Sequence, residues 1–234
     1  MFNNKQVLGI IPARGGSKRL PGKNTAIVNN YPLIAWTILA GLGSRVLDKL
    51  VVSTEVDEIG RVAVDWGVHE VIPRSIELAT DDASLHDVIV EVLTTLESRG
   101  EVFDYLLLLQ PTSPLRTAYH IDEAFDLINR KGGVGAISVC RAEHPKEWMG
   151  KLSSDGVLDS FIRETRLNKQ SQDFGPTFQI NGAIYIIPID RFLLEDTLFL
   201  ESGMVAYVMD RSVSVDIDEA YDLKLADWLL ETST

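Results

Sequence analysis

Arg14, Lys18, Arg19 and Lys23 place four cations within ten residues of a chain whose formal net charge is −12. Gly15, Gly16 and Gly22 lie among them, so backbone N–H groups can approach anionic oxygens without side-chain obstruction. Cations gathered on a glycine-rich loop suit a triphosphate. The loop is not a Walker A motif, because counting back from Gly22-Lys23 lands on Ser17 where glycine is required, and Asn24 replaces the hydroxyl residue. The dinucleotide fingerprint is absent as well.

Two further groups could do chemistry. Asp216 and Asp218 flank Ile217, and in an extended segment side chains at i and i+2 face the same way. Two carboxylates on one face make a hard oxygen site suited to Mg²⁺. They equally fit a solvated acidic turn at a helix start, with Asp218 as N-cap. Gln110 follows a run of leucines, where its amide either reaches a ligand or is bonded to backbone. His69, His86, His120 and His144 show no metal-ligand spacing.

Short apolar runs alternating with helix-period segments must hold these residues in place, the pattern of a parallel sheet covered by helices. Strands are expected at Val7–Pro12, Lys49–Ser53, Val68–Ile72, Tyr105–Leu109, Val134–Cys140, Ala183–Pro188 and Val205–Val208. Helices are expected at Pro32–Leu42, Ile59–Trp66, Ser84–Ser98, Ile121–Ile128 and Glu219–Leu230, with Ser84 as an N-cap. The cationic loop follows the first strand directly, at the carboxyl edge where open α/β sheets bind ligands. Residues 143–180 break the rhythm; too long for a structureless loop, they read as a small hairpin arm packed on another subunit, within a single domain spanning 1–234.

With 234 residues, 45% hydrophobic, the chain can bury a real core. Its negative charge disfavours nucleic acid polymers and anionic lipid as partners. No stretch approaches the roughly 18 apolar residues of a membrane span. The single cysteine, Cys140, excludes an internal disulfide and suits a reducing, cytoplasmic setting.

The run Pro12-Ala13-Arg14-Gly-Gly-Ser17-Lys18-Arg19-Leu-Pro21-Gly-Lys23-Asn24 resembles the opening motif of the acylneuraminate cytidylyltransferases. The resemblance continues in Glu77–Ser84, in Leu109-Gln110-Pro111-Thr112-Ser113-Pro114-Leu115-Arg116, in Asn181–Ile186 and in Asp216-Ile217-Asp218, in family order along nearly the whole chain. It implies a Rossmann-like α/β nucleotidyltransferase fold with a small dimerisation arm, a homodimer, and transfer of CMP from CTP to a nine-carbon sugar acid with Mg²⁺. Under it, Arg14 and Lys23 clamp the triphosphate and Ser17 donates to phosphate. Asn24, the Ala13 backbone, Arg74, Ala83 and Ser84 read the nucleoside. Asp216 and Asp218 hold the metal; Gln110, Tyr185 and Phe199 contact the sugar.

The family's arginines before its Gln-Asp/Glu-Leu-Pro stretch are missing here, where Gln170-Ser171-Gln172-Asp173-Phe174-Gly175 stands; Arg163, Arg166 or Lys169 are the available substitutes. The resemblance leaves legionaminate and pseudaminate open as substrates beside N-acetylneuraminate. Against the eight-carbon sugar Kdo stand Asn24 and the Gln-Pro-Thr-Ser-Pro-Leu-Arg run. A CTP-binding homologue without turnover is the rival from another class.

Overall fold

A computed structural model describes residues 2–164 and 170–232. Its elements, in chain order, are β1 (Val7–Pro12), β2 (Ile27–Val28), β3 (Tyr31–Pro32), α1 (Leu33–Leu42), β4 (Lys49–Thr54), α2 (Asp57–Asp65), β5 (Glu70–Pro73) and α3 (Leu85–Glu97). They continue with β6 (Tyr105–Leu108), α4 (Ala118–Lys131), β7 (Gly135–Arg141), α5 (Asp159–Glu164), β8 (Phe178–Pro188), α6 (Ile189–Glu195), β9 (Met204–Met209) and α7 (Ala220–Thr232).

Seven strands form one sheet in the order β5-β4-β1-β6-β8-β7-β9. All neighbours are parallel except β8, which runs antiparallel to both β6 and β7. The central strands carry apolar side chains on both faces because helices cover both. On one face Ile11, Leu50, Val52 and Leu107 pack with Ile34 and Ile38 of α1, Ile59 of α2 and Phe125 of α4. On the other, Leu8, Ile10, Val51 and Leu108 meet Ile89, Val92 and Leu96 of α3 and Phe192 of α6. Gly9 lies between these sets; a Cβ there would stand 2.7 Å from Leu50 Cδ1, so glycine lets β1 and β4 close up. A smaller cluster joins Val28, Leu33, Ile217 and Ala226, docking α7 and the Asp216–Asp218 segment beside the cationic loop.

The α/β class and every expected strand and helix are present, with ends shifted by a few residues. The long irregular stretch differs. Among the described residues of 143–180, the chain forms a 3-10 turn at Lys146–Trp148, the short helix α5 and a second 3-10 turn at Ser171–Phe174. Among the described residues of the stretch, no strand precedes Phe178. β8 starts at Phe178, before the expected Ala183, and Asn181-Gly182 is a bulge within it rather than a turn leading into it: Ile137 pairs with Tyr185, but Val139 pairs with Ile180. Gly182 at φ 75° supplies the left-handed residue that the bulge needs. Helix α6 was not expected, because a seven-residue segment shows barely two turns of periodicity.

Candidate active site

The cationic loop is shaped by three local devices. The Ala13 amide donates to Ser53 O at 2.9 Å, extending the β1–β4 pairing one residue into the loop. The Gly15 amide donates to Glu55 Oε1 at 2.6 Å, and a Cβ on Gly15 would lie 2.4 Å from Val56 Cγ2, so this approach requires glycine. Gly22, at φ 67°, precedes a 3-10 turn at Lys23–Thr25, and the Asn24 amide donates back to Arg14 O at 2.8 Å. The loop is thereby folded on itself.

A cleft of about 300 Å³ opens over this loop at the carboxyl edge of the sheet. Arg14, Ser17, Lys23, Asn24, Arg74, Ala83 and Gln110, all singled out from sequence, line it. Ala13 is fully buried, with its N–H committed to the sheet, and does not line the cleft. Ser84 caps α3, its hydroxyl accepting from the His86 amide at 3.2 Å. Asn24 lines the cleft with an Nδ2 already committed to Arg14 O. Arg74 is 7% exposed, held by Ser53 through Nε (3.2 Å) and Nη2 (2.9 Å), and burial lowers its pKa.

Each loop cation already has an acidic partner. Arg14 Nη1 lies 2.9 Å from Asp81 Oδ1, and Lys18 pairs with the other oxygen of the same carboxylate. Those two contacts, the Lys18 hydrogen bond foremost, hold the Asp81 carboxyl below its usual range. Arg19 Nη1 lies 2.8 Å from Asp218 Oδ2, and Lys23 Nζ lies 3.4 Å from Asp218 Oδ1. Apart from Lys23, whose side chain is 15% exposed, the members of these pairs are at least a third open to solvent and contribute little to folding. They hold the cations where a polyanion can replace the carboxylates.

On the far side of the cleft, Ile217 is fully buried and its amide donates to Thr112 O at 2.8 Å. Its side chain points into the core, which turns the flanking Asp216 and Asp218 outward together. Asp216 keeps solvent contact, yet its carboxyl is crowded enough to titrate above its usual range. Desolvation is the main cause, opposed by the Thr112 side chain and reinforced by the Asp218 charge. Two mutually repelling carboxylates with a solvent-facing side are a fitting donor pair for a hard divalent ion. Among the described residues no group of three or more His, Cys, Asp or Glu forms a cage, so phosphate oxygens and water would have to complete a six-oxygen shell.

Tyr185 feels the Asp216 charge and packs edge-on against Phe199 at 6.3 Å between ring centres. Tyr185 is buried and Phe199 is 54% exposed. Gln110 lies over the β8 bulge: a Cβ on Gly182 would sit 3.2 Å from Gln110 Oε1. Of these residues only Gln110 lines the cleft; Tyr185 stands against Phe199 and near Asp216, outside its lining. Arg166 and Lys169 lie outside the described residues, as does the side chain of Arg163. Sequence reasoning missed Asp81, Glu55 and Arg116 as contributors. Asp81 and Arg116 sit within recognised motif blocks, but nothing in their spacing shows what they touch.

The family model described as Cytidylyltransferase matches residues 8–145. The chain belongs to the cytidylyltransferase family. Within it, this cytidylyltransferase is 34% identical over 228 residues to the CMP-N,N'-diacetyllegionaminic acid synthase of Legionella pneumophila, covering 97% of both chains. It is 33% identical over 222 residues to the N-acylneuraminate cytidylyltransferase of Escherichia coli, covering 94% of this chain and 51% of that one. The pseudaminic acid cytidylyltransferase of Campylobacter jejuni is 30% identical over 226 residues, 97% of each chain. Among solved structures, CMP:2-keto-3-deoxy-manno-octonic acid synthetase complexed with CTP superposes with a TM-score of 0.72 at 16% identity, over 98% of this chain and 100% of that one. The 4-diphosphocytidyl-2C-methyl-D-erythritol synthase of Anaerococcus prevotii gives 0.65 at 12%, over 98% of each. At these identities the two structures support the nucleotidyltransferase fold and no more.

Proposed function

We propose that this cytidylyltransferase transfers CMP from CTP to the anomeric hydroxyl of a nine-carbon 2-keto sugar acid of the N-acetylneuraminate type, releasing pyrophosphate. One observation carries the reading. Lys23 and Gln110 line the same cleft; Lys23 reaches out of it to the Ile217–Asp218 segment, and Gln110 lies against the β8 bulge.

Arg14 and Lys23 bind the triphosphate once it displaces Asp81 and Asp218 from them. Lys23 lies deepest of the loop cations, with its side chain 15% exposed, and stabilises charge on the α-phosphoryl group. Arg74 and Ala83 border the nucleoside end, and Ser17 donates to phosphate. Gln110 and Tyr185 orient the sugar so that its anomeric oxygen lies in line with the bond to be broken. The new bond joins that oxygen to the α-phosphorus, the bond to the bridging oxygen breaks, and pyrophosphate leaves with its electron pair while the hydroxyl proton is released. Asp216 and Asp218 would hold Mg²⁺, which supplies charge neutralisation and alignment of the triphosphate.

A second sugar is favoured by one finding: the relative that is 34% identical over 97% of both chains is named for diacetyllegionaminate. A dimer completed through 143–180 and Phe199 is part of the same proposal, supported by exposed Phe178, Ile180 and Phe199. Sedimentation velocity tests it, and a monomer at micromolar concentration refutes it.

The activity test is pyrophosphate release with CTP and Mg²⁺ against N-acetylneuraminate, diacetyllegionaminate, pseudaminate and Kdo. Turnover on a nine-carbon acid that Lys23→Ala abolishes is the expected result. CTP binding without turnover on any acid would favour the non-catalytic reading.

A further inference from the structure

Arg116 is 1% exposed and is the largest of the fully buried side chains. Its Nε donates to Ala183 O at 3.0 Å, and its Nη2 donates to Gln110 O at 3.0 Å and to Thr37 Oγ1 at 2.8 Å. Thr37 Oγ1 in turn donates to Gln110 O at 3.3 Å. Nη1 has no hydrogen-bond partner among the described residues. Burial pulls its pKa down to about 9, and no carboxylate pairs with it among the described residues. The side chain therefore remains a cation at neutral pH. A buried charge without a counter-ion is costly, and a core needing only volume here would be better served by an apolar residue.

The atoms it grips locate its role. Gln110 O lies at the end of β6, and Ala183 O follows the Gly182 bulge of β8, the strand that also carries Tyr185. Thr37 anchors the pair to α1. We infer that Arg116 is a positioning residue for the acceptor half of the cleft: its guanidinium ties the Gln110 carbonyl to the Ala183 carbonyl and sets the separation between the Gln110 amide and the wall bearing Tyr185. The planar fork supplies two donor directions, and lysine has no matching geometry. The acceptor's identity as a sugar acid rests on the function proposed above; the staple itself does not.

The test compares wild type with Arg116→Lys, which keeps the charge and loses the fork, and with Thr37→Val, a milder change should the first variant fold poorly. In Arg116→Lys the KM for the sugar acid should rise about tenfold while the KM for CTP stays within about twofold, the scale of one lost charge-assisted hydrogen bond. Thr37→Val should move the same way by less. Hydrogen exchange, which needs no turnover, should quicken in 109–113 and 181–185 and stay unchanged in 13–24. Equal rises in both KM values, or no rise in either, would overturn the inference, and so would unchanged exchange in the two stapled segments. If wild type turns over none of the acids, the proposed function fails while the exchange result still decides the staple.

Discussion

Lys23 Nζ donates to the Ile217 carbonyl at 2.8 Å and lies 3.4 Å from Asp218 Oδ1, so residues 194 and 195 positions apart form one polar unit. The loop that collects cations and the segment that presents carboxylates are therefore held in register before any ligand arrives. Replacing Lys23 by alanine should lower kcat by about 10²–10³, the cost of losing one fixed donor to developing charge. Single-turnover pyrophosphate release measures it. Thermal unfolding should change little, since the broken hydrogen bond is partly solvated.

The raised pKa of Asp216 gives a pH dependence of definite sign. A carboxyl that titrates higher in the folded state than in the unfolded chain costs stability when ionised. Without divalent metal, Asp216→Asn should raise Tm at neutral pH. The gain should shrink as pH falls through the raised folded pKa and vanish below the ordinary carboxylate range, where both forms are neutral. Tm scans of both proteins from pH 3 to pH 8, about the carboxylate range and above, would show it. If Asp216 and Asp218 hold Mg²⁺ as proposed, protons and metal compete for the same oxygens, and the Mg²⁺ concentration needed should climb on the acid side in wild type.

Asp81 pairs with Arg14 and Lys18, and under the proposed function it competes with the nucleotide for them. Asp81→Asn frees both cations and should lower the KM for CTP by about two- to fivefold, the size expected for solvated pairs. Tm should not move, because the site is exposed. Titration of CTP by calorimetry at two salt concentrations checks the direction, with the advantage fading at high salt.

Gly182→Ala places a methyl group on a backbone at φ 75° and 3.2 Å from Gln110 Oε1. The strain should cost about 1–2 kcal/mol in denaturant unfolding. Displacing Gln110 should also raise the sugar KM, leaving the KM for CTP near its wild-type value.

The parts of this molecule that follow short-range rules were legible in the residues. Short apolar runs and period-3.6 patterns expose the elements because both faces of the sheet are covered, and glycines among cations mark the loop because few other functions need that combination. The acceptor wall was less legible. Nothing local distinguishes a bulge at Asn181-Gly182 from a turn, since both need a left-handed residue; the pairing of Val139 with Ile180 decides it. Arg116 reads as a surface cation until its three partners, from α1, β6 and β8, are brought together. Asp81 reads as one more acidic residue until Arg14 and Lys18 close on it.

The reversed direction of β8 divides the labour of the cleft along the chain. Under the proposed function, the nucleotide side would draw on residues 12–88 from consecutive parallel units, and the acceptor side on residues beyond 109 around the strand that runs backwards. On that reading, a fold wired this way can keep one donor and change its acceptor by editing residues beyond 109 alone.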